Sequence, residues 1–475
     1  MPKVRSVNSP PDGGWGWMVV ASTFFVNMLT IGNMKSFGVF YAEFREVFQE
    51  SAGITSFISS ILGASVLMFS PFAGALSNLT SCRTAIMAGG VISAAGLVVS
   101  YFAQTMVQLF FSVGILTGFG FSLMFSPSLA MVGRYFDKRH ATANGIGVCG
   151  TGIGIFAFPP LYQFLIDEFG WRGALLIVAG TALNGCVCGA LMRPLHFKDD
   201  RKEENVNIEA QGITDTEPKK RPHHFCEKIM ESFDVTLLKH RPFLVYCVSL
   251  FAISLGNSMI FVHLVAHAQN VGIEKTAAAF ILSVLGISEA VSRPLHGLLS
   301  DKINISKVYY YMVNNTGMAV LNIAIPFGKT YTELVACMVL YGLFSGSFNT
   351  LIAVMVREYS SVSRISSGLG WALVFEGAAY LLGPPIAGWL YDATGNYGMS
   401  FYAAGIFILL SVLVLFIIPC STTGKSLSLV SGGRSEPKQN GVEAVAFRNL
   451  GRDGRETVRI DSGQSNPGFV VNALT

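Results

Sequence analysis

The chain has 475 residues, 51% of them hydrophobic and 13% charged, with a formal net charge of +4. Soluble domains carry about 25% charged residues, so the composition excludes a soluble domain and predicts a polytopic membrane protein. The basic residues lie in short loops and tails, which argues against a nucleic-acid partner.

Taken in order, the polar segment MPKVRSVNSPPDGG leads directly into a full-length apolar run, so the first helix is expected to serve as its own insertion signal, without a cleavable one. Apolar runs of about 20 residues, the length needed to cross a bilayer, fall near 16–40, 55–77, 84–104, 108–131, 141–165, 173–192, 243–266, 276–299, 307–327, 333–356, 366–391 and 400–419. The predicted fold class is therefore all-α with twelve transmembrane helices. The expected domains are a cytosolic N-terminus (1–14), a six-helix bundle (15–194), a polar cytosolic linker (195–241), a second six-helix bundle (242–420) and a disordered cytosolic tail (421–475).

Lys and Arg set the orientation. Arg83, Arg134, Lys138, Arg139, Lys302, Lys307, Arg357 and Arg364 all fall in loops on the side of the linker and both termini. The opposite loops carry acids such as Glu43, Glu46, Glu50, Asp167 and Glu168. Both termini are expected in the cytosol. No cysteine falls in an outer loop, so no structural disulfide is predicted.

The two halves repeat. Pro159-Pro160 matches Pro384-Pro385 at a shift of 225, and the match continues without gaps through Asp167 with Asp392 and Gly170 with Gly395. The turn Gly74-Ala-Leu-Ser-Asn78 likewise corresponds to Gly297-Leu-Leu-Ser-Asp301. Parallel six-helix repeats place a substrate between the halves near mid-membrane. This is the major facilitator layout.

Charges inside apolar runs are expensive, at roughly 2.5–3.5 kcal/mol each on insertion scales, and usually face a partner or a wet cavity. Glu289 and Arg293 lie near the middle of the eighth helix at i and i+4, on one face. They read either as a fixed structural ion pair or as an anion site with a coupled carboxylate. Pro294 removes a backbone hydrogen bond beside them and favours a kink. Lys35 lies within the first helix, either snorkelling to the outer interface or facing the cavity. His263 and His267, at i and i+4 on the seventh helix, are too few for a metal site. His263 is expected to line the vestibule and His267 to face outer water. No metal or cofactor is predicted. With no nucleophile–base pair or metal cluster, neither is an enzyme. Gly145-Ile-Gly147-Val-Cys-Gly150 matches a dinucleotide fingerprint but lacks the strand before it that the fingerprint requires. Gly150 and Gly154 instead make a small-residue face suited to close, gliding helix contact.

Two stretches carry a family resemblance. Asp12-Gly13-Gly14-Trp15-Gly16-Trp17 precedes the first helix, and Tyr135-Phe-Asp-Lys-Arg-His-Ala-Thr-Ala-Asn-Gly-Ile-Gly-Val-Cys-Gly-Thr-Gly-Ile-Gly154 enters the fifth. On these the chain resembles the monocarboxylate transporter family over roughly residues 10–420. The tryptophans suit the membrane interface, and Asp12 is expected to cap the first helix. The resemblance implies that Lys35, Glu289 and Arg293 form a proton-coupled anion site, with Glu289 where small-acid members have Asp. It also implies a structural or gating role for Glu376 and a wider cavity at Ala353, where small-acid members carry a bulky aromatic. Asn349 is a further candidate for the cavity. The function so implied is a plasma-membrane secondary transporter of an organic monocarboxylate, with a proton as co-substrate. Several relatives reach the surface with a single-span immunoglobulin-type glycoprotein, and the same partner is expected here. Two alternatives stay open: a proton-independent carrier of a larger or zwitterionic carboxylate such as creatine, carnitine or an aromatic amino acid, and a non-transporting membrane sensor or scaffold.

Overall fold

The computed structural model describes residues 6–7, 11–136, 139–193, 195–197, 235–302, 306–359, 365–422, 447–450 and 456–459. Most of the expected linker and tail therefore lies outside the described residues. The first crossing is built from α1 (Gly16–Asn27), a π-helical turn (Met28–Gly32), α2 (Asn33–Ser36) and α3 (Gly38–Phe48). The second is α4 (Ala52–Met68) with α5 (Ser70–Leu79), and the third is α6 (Cys82–Tyr101). The fourth combines α7 (Met106–Leu109), a π-helical stretch (Phe110–Thr117) and α8 (Gly118–Tyr135). There follow α9 (His140–Ala182), α10 (Asn184–Leu191), α11 (Arg241–Asn270), α12 (Lys275–Lys302), α13 (Lys307–Ala324), α14 (Tyr331–Tyr359), α15 (Ile365–Thr394) and α16 (Gly398–Thr422).

Ten stretches among the described residues are long and apolar enough to cross a bilayer. The longest, Thr142–Leu191, contains two crossings, because the helix breaks at Gly170 (φ 66°, ψ 168°). The remaining crossing is α13, made more polar by Asn314, Asn315 and Asn322. Twelve crossings result. Gly395, one repeat after Gly170, is also left-handed (φ 69°). Glycine occupies that region without the penalty a Cβ brings, so both bundles turn at the same place for the same reason.

The helices form one compact unit, Met1–Ile418. Here β1 (Ser6–Val7) pairs in parallel with β2 (His196–Phe197). In the second unit, Pro419–Thr475, β3 (Phe447–Leu450) pairs antiparallel with β4 (Glu456–Arg459). Because crossings alternate in direction, the turns at 49–51, 170, 271–274 and 395–397 share one face, here called distal. The ends near 15, 80–81, 241 and 365 share the other, called terminal.

Glycines set how closely the helices approach. A Cβ on Gly150 would lie 1.9 Å from the Phe24 carbonyl, and one on Gly154 would lie 2.8 Å from the Gly32 Cα. That small-residue face therefore locks the fifth crossing to the first inside one half, and is not the gliding surface expected of it. The surface between halves is made by Gly152 against Ala290 and by Gly286 against Ile155. Its counterpart joins α4 to α15, where Gly63 faces Tyr380, Gly377 faces Met68 and Gly388 faces Ala52.

The two motif stretches meet on the terminal face. The Asp12 N–H donates to the Tyr135 carbonyl at 3.0 Å, and the Asp12 carboxylate accepts the Arg139 N–H at 3.4 Å. Trp17 packs edge-on against Phe136 (5.1 Å between centroids), and Gly16 lies under the same ring. Trp15 Nε1 donates to the Leu191 carbonyl at 3.0 Å, with the Arg193 guanidinium 3.6 Å above its ring. Asp12 thus joins the start of α1 to the start of α9. It does not cap α1, which has no side-chain cap.

Candidate functional site

Three charges converge between the halves. Glu289 is fully buried on α12, Lys35 is 3% exposed on α2 and Arg293 is 5% exposed. Lys35 does not snorkel. Its helix segment is isolated between the π-helical turn at Met28–Gly32 and a break at Phe37 (ψ −9°). Such π-turns frequently occur at functional sites.

Glu289 Oε2 accepts Arg293 Nη2 at 2.8 Å and pairs with Lys35 Nζ at 3.6 Å. Its other oxygen accepts the Ser345 hydroxyl at 2.9 Å, from α14. Arg293 Nη1 donates to the Val148 carbonyl at 3.0 Å, across the boundary between halves. The Lys35 ammonium lies 4.1 Å above the Phe261 ring, a desolvated cation–π contact of roughly 2 kcal/mol. One carboxylate therefore serves two cations, leaving one formal positive charge in excess. Among the described residues two donors in this cluster lack a hydrogen bond of good geometry: Lys35 Nζ, which meets Glu289 only at ion-pair distance, and Arg293 Nε. Buried orphan donors are costly, and a second carboxylate would satisfy both. Pro294 adds a local effect. It cannot bond back to the Ala290 carbonyl, and that oxygen instead receives Cys149 Sγ at 3.9 Å from the fifth crossing.

Glu376 is 6% exposed on α15 and lies within electrostatic reach of Lys35. Asn349 is half-buried, with its Nδ2 unpartnered. Ala353 lies in α14, but its side chain is outside the described residues. His263 is fully buried, and its Nε2–H donates to the Pro384 carbonyl at 2.8 Å. His267, 5% exposed, packs against Phe401 and does not face water. Both histidines differ from expectation because the distal end is closed around them.

That closure joins the halves. Tyr41 and Tyr397 share a hydrogen bond of 3.0 Å, and Arg45 Nη1 donates to the Tyr397 hydroxyl at 3.0 Å. The Arg45 guanidinium stacks 4.3 Å over the Tyr391 ring. Asp392 accepts the N–H groups of Ala52 and Gly53, and Lys275 pairs with Glu46 at 2.8 Å. The sequence did not mark Ser345, Phe261, Tyr41, Arg45 or Tyr397. Each is a common residue type whose partner is remote in the chain. Asp392 was visible only as a repeat match.

The chain matches the Major Facilitator Superfamily model over residues 23–304 and 243–454. It is 37% identical to monocarboxylate transporter 12 of Mus musculus over 424 residues, covering 86% of each chain. It is 39% identical to monocarboxylate transporter 13 of Rattus norvegicus, covering 92% of this chain and 95% of that one. Identity to human monocarboxylate transporter 2 is 32%, with 88% of each covered. Among solved structures, a peptide transporter POT in complex with sulfate superposes with a TM-score of 0.66 over 87% of this chain and 97% of that chain. At 16% identity that likeness establishes the fold alone.

Proposed function

From the premise that this chain belongs to the monocarboxylate transporter family of the major facilitator superfamily, and so is a multi-pass membrane transporter, we propose that it moves an organic monocarboxylate together with a proton by alternating access. The observation that carries the reading is the pair of buried orphan donors, Lys35 Nζ and Arg293 Nε, beside a carboxylate already shared between two cations. An arriving carboxylate competes with Glu289 for Arg293, whose planar fork suits two oxygens. Protonation of Glu289 releases the arginine to the substrate, which links anion movement to proton movement. Gly152, Gly286, Gly63, Gly377 and Gly388 form the surfaces on which residues 15–194 and 242–420 rock. In this reading the terminal face, the linker 195–241 and both termini are cytosolic, and the membrane is the plasma membrane. An immunoglobulin-type glycoprotein escorts the chain there.

The test is uptake of a panel of labelled carboxylates and zwitterions by cells expressing the chain, at two external pH values. Uptake of a monocarboxylate that rises at acid pH and is lost in Arg293→Ala is the expected result. Uptake of a zwitterion independent of pH selects the facilitative carrier instead, and no uptake by protein at the surface selects a sensor or scaffold. Epitope tags in the linker should react only after permeabilisation. Normal delivery in cells lacking such glycoproteins would remove the escort.

A further inference from the structure

The anion site leaves one buried acid unused. Glu376 is 94% buried, and among the described residues it makes no ion pair or hydrogen bond. Glu289 is the opposite case, with Arg293, Lys35 and Ser345 all directed at its carboxylate. A saturated carboxylate and an isolated one, in reach of the same lysine, are suited to different tasks. An isolated buried carboxyl avoids the cost of an unpaired charge by holding a proton.

Neighbouring glycines fix the place of Glu376. Gly377 packs on Met68 of α4, and Gly383, two turns on, packs on Leu255 and Ser258 of α11. Glu376 therefore lies at the seam between α4 and α11. Neither α4 nor α5 contains a titratable residue. The groups within its electrostatic reach are Lys35 on α2, Tyr246 on α11, Tyr311 on α13 and Tyr380 on α15 itself. Cys247, His263 and His267 are the other buried titratable groups on α11, and Tyr341 is buried and Cys337 and Tyr359 partly buried on α14. Tyr341 is occupied by Asn257, and His263 by Pro384.

Lys35 and Tyr246 mark two ends of a path. Phe261, beneath Lys35, is fifteen residues from Tyr246 on the same helix, about 22 Å at the usual helical rise. Tyr246 and Tyr311 begin one turn inside the terminal ends of their helices. Among the described residues neither hydroxyl has a hydrogen bond of good geometry, nor does either side-chain polar atom of Asn315, which lies beside Tyr311. Buried orphan polar groups of this kind are where ordered water bonds. Glu376 is in electrostatic reach of Lys35 and of both tyrosines.

We propose that Glu376 relays the coupling proton between Lys35 and the terminal face. This rests on the proton-coupled reading above. In one direction the O–H bond of the Glu376 carboxyl breaks and an N–H bond forms at a neutral Lys35 Nζ, leaving carboxylate and ammonium. The carboxylate then takes a proton from hydronium at the terminal face, through water held by Tyr246, Tyr311 and Asn315. Release runs the same steps backwards. Glu289 keeps its role as the acid that trades cations with the substrate.

Two readouts test it, using the purified full-length protein in lipid. The first is independent of substrate: infrared difference spectra across a pH titration. The wild-type protein and Glu289→Gln should show a protonated-carboxyl band that disappears as pH rises, and Glu376→Gln should lack it. Persistence of that band in Glu376→Gln overturns the proposal. The second uses labelled pyruvate in liposomes. Glu376→Gln should lose about tenfold or more of uptake driven by a proton gradient, while pyruvate-for-pyruvate exchange, which needs no net proton release, changes by only about twofold. Equal loss of both makes Glu376 a structural or substrate-contact residue and overturns the relay. If Glu376→Gln does not fold, Glu376→Asp serves. It should keep gradient-driven uptake with a shifted pH profile, and an unshifted profile overturns the relay. Absence of pyruvate uptake by the wild-type protein counts against the proposed substrate class, and the infrared result alone then decides on Glu376.

Discussion

Asp392 caps the start of α4 from the opposite half of the molecule, its Oδ1 accepting the Ala52 N–H at 2.8 Å and its Oδ2 the Gly53 N–H at 3.0 Å. Helix starts carry unsatisfied N–H groups and partial positive charge. The first turn of α4 contains no acid of its own. A remote carboxylate therefore supplies what the local sequence lacks, but only while the distal end is closed.

Asp392→Asn should weaken that closure by about 1 kcal/mol, roughly a fivefold shift toward the distally open form. Val262, which packs against Gly38 across the same boundary, offers a probe. In a background lacking native cysteines, Val262→Cys should label faster with an impermeant thiol reagent when Asn replaces Asp392. Unchanged labelling would mean that the cap is incidental to closure.

Arg293→Lys keeps the charge but not the two-pronged grip on Glu289 and Val148. Hydrogen bonds to charged groups contribute about 1.5–3 kcal/mol, so carboxylate uptake should fall by roughly 30-fold at normal surface density. Surface biotinylation alongside uptake separates loss of transport from loss of delivery.

A purely structural ion pair and an anion site differ in how they respond to double neutralisation. Removing Glu289 alone leaves Lys35 and Arg293 as buried unpaired cations and should destabilise the protein by about 3–5 kcal/mol, whereas removing Arg293 leaves the Glu289–Lys35 pair and should cost less. Replacing both with Ala leaves the Lys35 ammonium without its carboxylate and should recover only part of the stability lost in Glu289→Ala. Transport should stay absent, because the fork for the substrate is gone. Recovery of transport in the double variant would reduce the pair to scaffolding.

Phe261→Leu tests how Lys35 is held. Leucine keeps the apolar surface but has no ring face for the ammonium at 4.1 Å. Half-saturation for the carboxylate should rise about 2- to 30-fold with little change in expression, which corresponds to a cation–π contribution of about 0.5–2 kcal/mol. An unaltered concentration dependence would assign Lys35 another support.

The crossings, the repeat and the three converging charges were legible in the sequence because each departs sharply from its background. Charged residues are rare within apolar runs, and Lys35, Glu289 and Arg293 are conspicuous there. The support around them was not legible. Ser345 reaches Glu289 across 56 residues, and the hydroxyl pair Tyr41–Tyr397 spans 356. Such contacts depend on packing between helices remote in the chain and leave no local pattern. Asp12 shows how local logic can mislead. Its position ahead of α1 suits a cap, yet its left-handed backbone (φ 47°) and the bond to Arg139 direct it to another helix. His263 and His267 were read from their place near the distal end of a helix, and closure of that end buried them.

The glycines between the halves also decide which inherited substitutions the chain can bear. A methyl at position 152 would meet the Ala290 Cβ at 2.5 Å, and one at 388 would meet the Ala52 backbone at 2.6 Å. Each half could still assemble on its own core, so such a variant would fold, reach its membrane and stand idle. Missense changes here would escape cellular quality control and act as silent carriers of lost function, invisible to any assay of abundance.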